Sequence, residues 1–265
     1  MLLEGDSPII AKLNGIHEAG SSTLRAGSIE PFRDYPVELK NRYGVYLCYT
    51  EPSEQLVRSR ILDEVREVGQ NLGIGLFVAG QHSPDGHPIH TTLLEGLYQG
   101  DDENARDLCF GTHPGILHYG GLHDSVIGYH PQYTKVATRI HELRDGYYNP
   151  QLTKSWEITF NAVLVDKGPV LLAATEIPQE ILDMRSELTE IYDRAHVKPL
   201  PLDNLLHMTL TRMTMPVDQS KSDEYIERIE DIHRRVIENP LQLLVKGIFR
   251  GHAFDMLQGR ETLYR

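Results

Sequence analysis

One order of elements occurs twice along this chain, and it limits the folds open to it. In the first half, Gly44-Val45-Tyr46-Leu47-Cys48-Tyr49-Thr50 is rich in aromatic and branched residues and stops at Pro52, the mark of a strand. Val57, Ile61, Val65, Val68 and Leu72 then recur at steps of 4, 4, 3 and 4, which predicts an amphipathic helix, with Ser53 offering an N-cap oxygen. Residues 74–79 read as another strand. A polar turn, Ser83-Pro84-Asp85-Gly86, leads into Pro88-Ile89-His90-Thr91-Thr92-Leu93-Leu94. The second half repeats the order. Residues 156–165 read as a strand, Lys167-Gly168 as a turn, and residues 169–174 as the hairpin partner. Ile181, Met184, Leu188 and Ile191 mark a helix, and a Pro-containing loop leads to Leu205-Leu206-His207-Met208-Thr209-Leu210. From Val45 to His90 the chain advances 45 residues, and from Phe160 to His207 it advances 47. Matching order, spacing and ending point to an internal duplication and to an α+β chain of two similar lobes.

Both copies end in His-x-Thr-Leu. On a strand, residues i and i+2 share a face, so each His would project with its Thr while the alternate residues pack inward. Met208 and Leu210 suit that inward role; Thr91 suits it less well. Two imidazoles at one phosphorus can do acid–base chemistry, because histidine titrates near neutrality. One accepts a proton from the nucleophile and the other donates one to the leaving oxygen. The Thr hydroxyls can hydrogen-bond the non-bridging oxygens.

With these two motifs the chain resembles the 2H phosphoesterase superfamily, which includes the bacterial 2′-5′ RNA ligase-like proteins and cyclic phosphodiesterases. The resemblance covers roughly residues 43–96 and 156–249. It implies one domain over 1–265, with two pseudo-symmetric lobes of antiparallel sheet, helices outside, around a central cleft. In that division residues 1–40 are an N-terminal extension and 97–154 an insertion. The resemblance also implies His90 and His207 as catalytic residues and Thr92 and Thr209 as phosphate ligands. The implied activity is a metal-independent phosphodiesterase, without cofactor, acting on 2′,5′-linked or 2′,3′-cyclic nucleotides or related small phosphodiesters.

Other features narrow the alternatives. A third match, His123-Asp124-Ser125-Val126, follows Gly120-Gly121 and lacks the strand–helix–strand lead-in. Composition alone yields about half a match among the 13 histidines, so this copy is taken as chance. His82, His87 and His90, close together, and His113, His118, His123 and His130 in the middle segment form a rival, metal-dependent reading. Their spacings do not share a helix face, and no H-E-x-x-H frames them, so no metal is expected. A non-catalytic nucleotide- or RNA-end-binding module is the other rival; intact His and Thr in both copies argue against it. Tyr98 and Tyr119 are candidates for base stacking. Arg212 is placed either to contact phosphate or to make a salt bridge on the sheet's far face. The net charge of −12, from 38 acids against 26 bases, disfavours a long phosphate backbone and favours a small nucleotide or short oligonucleotide. Cys48 and Cys109 read as structural thiols. No apolar run approaches the roughly 20 residues that span a bilayer, and the start lacks a signal-peptide pattern, so a cytoplasmic location without membrane partners is expected. Residues 1–40 show no sustained period and are expected to pack on the outside.

Overall fold

The computed structural model describes residues 2–29, 42–78, 89–98, 117–118, 121–122, 156–194, 197–199 and 205–252. The first element departs from the expectation for residues 1–40. Ser7 accepts from the Ile9 N–H at 3.2 Å and Pro8 fills the first turn, starting helix α1 (Pro8–Arg25). Its buried stripe is Leu13, His17, Gly20, Ser21 and Leu24. Three of those five are small or polar, which is why hydrophobic periodicity missed the helix. Gly20 is there for proximity: a Cβ at this position would lie 2.4 Å from the Val165 carbonyl oxygen.

In chain order there follow β1 (Arg42–Tyr49), α2 (Glu51–Val57), a π turn (Arg58–Leu62), α3 (Asp63–Leu72), β2 (Leu76–Val78) and β3 (His90–Tyr98). The short β4 (Leu117–His118) and β5 (Gly121–Leu122) pair with each other. Next come β6 (Trp156–Phe160), β7 (Ala162–Val165), β8 (Val170–Ala174), α4 (Gln179–Arg194) and β9 (Val197–Pro199). Last are β10 (Leu206–Met213), α5 (Gln219–Glu238) and β11 (Leu241–His252).

Two sequence expectations are corrected here. Thr50, not Ser53, occupies the N-cap of α2; Ser53 lies inside the helix and its hydroxyl oxygen accepts the Leu244 N–H at 2.8 Å. The run 156–165 is two strands, not one. It breaks at Asn161, whose side chain donates to Thr175 Oγ1 at 2.7 Å and accepts the Thr175 N–H at 3.1 Å. That pair of bonds lets β6 and β7 enter different sheets.

The larger sheet has the order β6-β11-β1-β3-β9 and the smaller β2-β10-β8-β7, with every pairing antiparallel. The architecture is therefore α+β with open antiparallel sheets. Strands from both halves of the chain enter each sheet: β6 and β11 join β1 and β3, while β2 joins β7, β8 and β10. The main core collects Leu47, Leu93, Phe160, Val163, Leu172, Leu206, Met208 and Leu210 with apolar residues of α2, α3, α4 and α5. A second cluster, Leu3, Leu13, Ala162, Leu164, Ala173 and Leu205, lies under α1 on the other face of β7 and β8. Burial on both faces explains why those two strands read as unbroken apolar runs.

Among the described residues β7 is an edge strand, and two buried histidines close it. His233 Nδ1 accepts the Val163 N–H at 3.0 Å, and His17 Nδ1 accepts the Val165 N–H at 3.2 Å. With Nδ1 accepting, the network assigns the proton of each ring to Nε2, which donates to the Leu2 carbonyl from His233 and to Glu230 from His17.

Candidate active site

The two motifs sit at the starts of β3 and β10, strands of different sheets that pack against each other. Along β3, His90 and Thr92 are half-buried while Thr91 and Leu93 are buried. Along β10, His207 and Thr209 are half-buried while Met208 and Leu210 are buried. Leu93, Met208 and Leu210 enter the main core, so both His/Thr rows turn away from it. Thr91, the awkward inward residue, is satisfied: its hydroxyl lies 2.5 Å from the Tyr49 hydroxyl in the interior.

Each strand then departs from simple alternation at the same step. In the β1–β3 ladder Val45 pairs with Leu94 and Tyr46 with Thr92, which leaves Leu93 as an extra residue. In the β10–β8 ladder Thr209 pairs with Leu171 and Thr211 with Val170, which leaves Leu210 as an extra residue. Both are β-bulges, and both fall on the Leu of His-x-Thr-Leu. A bulge shifts the side-chain parity by one. The next half-buried residues are accordingly Glu95 and Arg212, each five positions after its histidine. Strict alternation would send Arg212 to the far face; the bulge returns it to the row of His207 and Thr209. Its charge is among those that act on His207. Glu95, its counterpart on β3, went unnoticed in the sequence because a bulge leaves no periodic signal. The adjacent pair Leu93-Leu94, which breaks the alternation, was the available hint.

The surroundings of the two histidines differ. The His90 ring meets Tyr46 edge to face, with centroids 5.2 Å apart and planes at 81°. Tyr46 pairs with Thr92 across the ladder and is itself 1% exposed, so it forms a fixed wall for the imidazole. His207 pairs with Ala173, a member of the apolar cluster under α1. Residues paired across a ladder share a face. That apolar neighbourhood pushes the His207 pKa down to about 4; Asp166 opposes the shift, and Arg185 and Arg212 reinforce it.

One side chain bonds to both motif segments. Arg185, from α4, donates through Nε to the Leu93 carbonyl at 2.9 Å and through Nη2 to the carbonyls of Thr92 at 3.3 Å and Leu205 at 2.5 Å.

Of the remaining candidates, Tyr98 and His118 lie in β3 and β4, and Cys48 in β1. His82, His87, Cys109, His113, Tyr119, His123 and His130 lie outside the described residues, as does the stretch 133–143, which the sequence reads as helical. Among the described residues, no helix is long and apolar enough to cross a membrane.

No protein-family model matches the sequence, and no curated protein matches it. Among solved structures, the chain is similar to Kluyveromyces marxianus Usb1 with uridine monophosphate, at a TM-score of 0.45 and 13% identity, over 82% of this chain and 96% of that one. A second structure of Kluyveromyces marxianus Usb1 gives a TM-score of 0.42, with the same identity and coverage.

Proposed function

We propose that this chain is a metal-independent phosphodiesterase of the 2H type, cleaving a small nucleotide phosphodiester, either 2′,5′-linked or a 2′,3′-cyclic phosphate. The observation that carries the proposal is the pair of outward His/Thr rows on two strands in contact, each backed by core residues and each ending in the same bulge. In this reading the two imidazoles and two hydroxyls act on one phosphate.

We assign the roles from the unequal surroundings of the two rings. His207 is neutral at pH 7 and serves as the general base, taking a proton from water as its oxygen attacks phosphorus. His90, protonated, serves as the general acid and gives its proton to the ribose oxygen as the P–O bond breaks. The cycle closes when His207 releases a proton to solvent and His90 regains one. A bound phosphodiester anion beside His207 favours its protonated form, raising the pKa from the resting value toward the range of an effective base. Thr92 and Thr209 hold the non-bridging oxygens, and Arg212 supplies positive charge to them.

Purified protein incubated with 2′,3′-cyclic nucleotides, 2′,5′-oligoadenylates and other small diesters tests the proposal. Turnover is expected to survive EDTA. His90→Ala and His207→Ala should each lose at least ~10³ in kcat, and the double variant should be little worse than either single one. Thr92→Ala and Thr209→Ala should each cost about 10–10³. Full activity in His207→Ala, or activity that EDTA removes and zinc or manganese restores, would overturn it.

A further inference from the structure

Arg185 is 6% exposed, and among the described residues no carboxylate pairs with it. Its hydrogen-bond partners are three backbone carbonyls, and its Nη1 has none among the described residues. Burying a guanidinium in this way is costly, and an apolar side chain of the same length would pack here at less expense. The acceptors explain why a cation stands here instead. Leu93 is the bulge residue of the first motif strand and Thr92 its phosphate-ligand candidate, while Leu205 lies two residues before His207. Among the described residues, β9 pairs with β3 at Gly96, Leu97 and Tyr98, and none pairs with Thr92 or Leu93 on that edge. Arg185 donates to two carbonyls of β3 and reaches from there to the segment that opens the second motif.

We infer that Arg185 is the positioning residue of this site, a single buried guanidinium that sets the separation of the two motif strands through their backbone. A planar fork with divergent N–H groups can hold two strands at one spacing, whereas a lysine head, shorter and unforked, cannot span both. The charge also acts on the site between them. With Arg212 it opposes protonation of His207 against the pull of Asp166, and with Arg212 it makes the mouth of the site favourable to an anion although the chain as a whole is acidic.

The kinetic part of this inference rests on His90 and His207 being an acid–base pair; the structural part does not. Two variants of the full chain, Arg185→Met and Arg185→Lys, test both parts. In Arg185→Met, the NMR titration of the His207 ring should move up by about half a pH unit or more, and the amide signals of His90, Thr92, His207 and Thr209 should shift together. Its kcat should fall ~10-fold or more with KM changed less than about threefold, and the base limb of its pH profile should follow His207 upward. Arg185→Lys keeps the charge and loses the fork, so its His207 titration should stay low while kcat still falls. A folded Arg185→Met with an unmoved His207 and unmoved amides at either motif would overturn the inference. So would activity lost only in step with the folded fraction. If Arg185→Met does not fold, Arg185→Lys decides alone, and a wild-type kcat in that variant rejects the inference. Should the wild-type protein turn over no phosphodiester, the proposed function fails, and the NMR measurements still decide the role of Arg185.

Discussion

The surroundings of the His207 imidazole disfavour its charged form, and stability must register this as a pH dependence. In the folded protein its pKa lies at about 4, below the ordinary value near 6.5 that the unfolded chain restores. Between those values the unfolded state binds the extra proton, so acid favours unfolding. The contribution is fully present above about pH 6.5, falls as the pH drops through that window, and is spent below about 4. Its size is about 2 kcal/mol, the half-open ring taking back part of the ~3 that full burial would give. Comparing denaturant unfolding of the wild type and His207→Gln from pH 7 to pH 4 measures it: the wild type should lose about 2 kcal/mol more. Equal losses would mean that the site is wetter than its packing implies. The position of His207 was legible in the sequence because alternation over His-x-Thr-Leu is local. Its environment was not, because Ala173 and Asp166 come from the β7–β8 hairpin and Arg185 from α4, both remote from His207 in the chain. Arg212 marks the same boundary at shorter range: one inserted residue reverses the face on which it stands.

Among elements, β7 shows how a sheet edge is closed without another strand. Unpaired N–H groups on an edge invite a second chain, and natural sheets block them. Here α1 and α5 each lend a histidine for that purpose. The His233 pKa is lowered, chiefly by burial and further by His17, with the Leu2 carbonyl and Glu230 opposing. His233→Ala removes the acceptor of the Val163 N–H and leaves a cavity, at a cost of about 2–3 kcal/mol. A urea midpoint unchanged in this variant would contradict the capping role. Ile226, Ile229, Ile232 and Val236 recur in the sequence at the helical steps that mark α5, yet residues 8–25 show no such period over α1. The buried face of α5 carries His233 and Ser222 beside four aliphatic residues, while that of α1 has only Leu13 and Leu24 beside His17, Gly20 and Ser21. A helix with only two aliphatic residues on its buried face is invisible to a hydrophobic count.

At the scale of the whole molecule, the duplicated order was plain in the sequence, but the pairing of strands was not. Periodicity says which residues form a strand and which face is buried; it does not name the neighbour. Each sheet draws on both halves, with β11 between β6 and β1 and β2 beside β10. Fragments 1–154 and 155–265 should therefore each show little fixed structure alone by circular dichroism and near-UV signal, and recover both when mixed. A stable fold in either one alone would refute this. The position of β11 has a further consequence during synthesis. Strand β1 emerges from the ribosome early, yet its partner along one edge, residues 241–252, is made almost two hundred residues later. For most of its translation the nascent chain must carry Tyr46, Leu47 and Tyr49 without the neighbour that completes their sheet. Long-range pairing of this kind slows folding and leaves apolar surface open to aggregation. The same crossing that joins the two halves makes the unfinished chain a natural client for a chaperone.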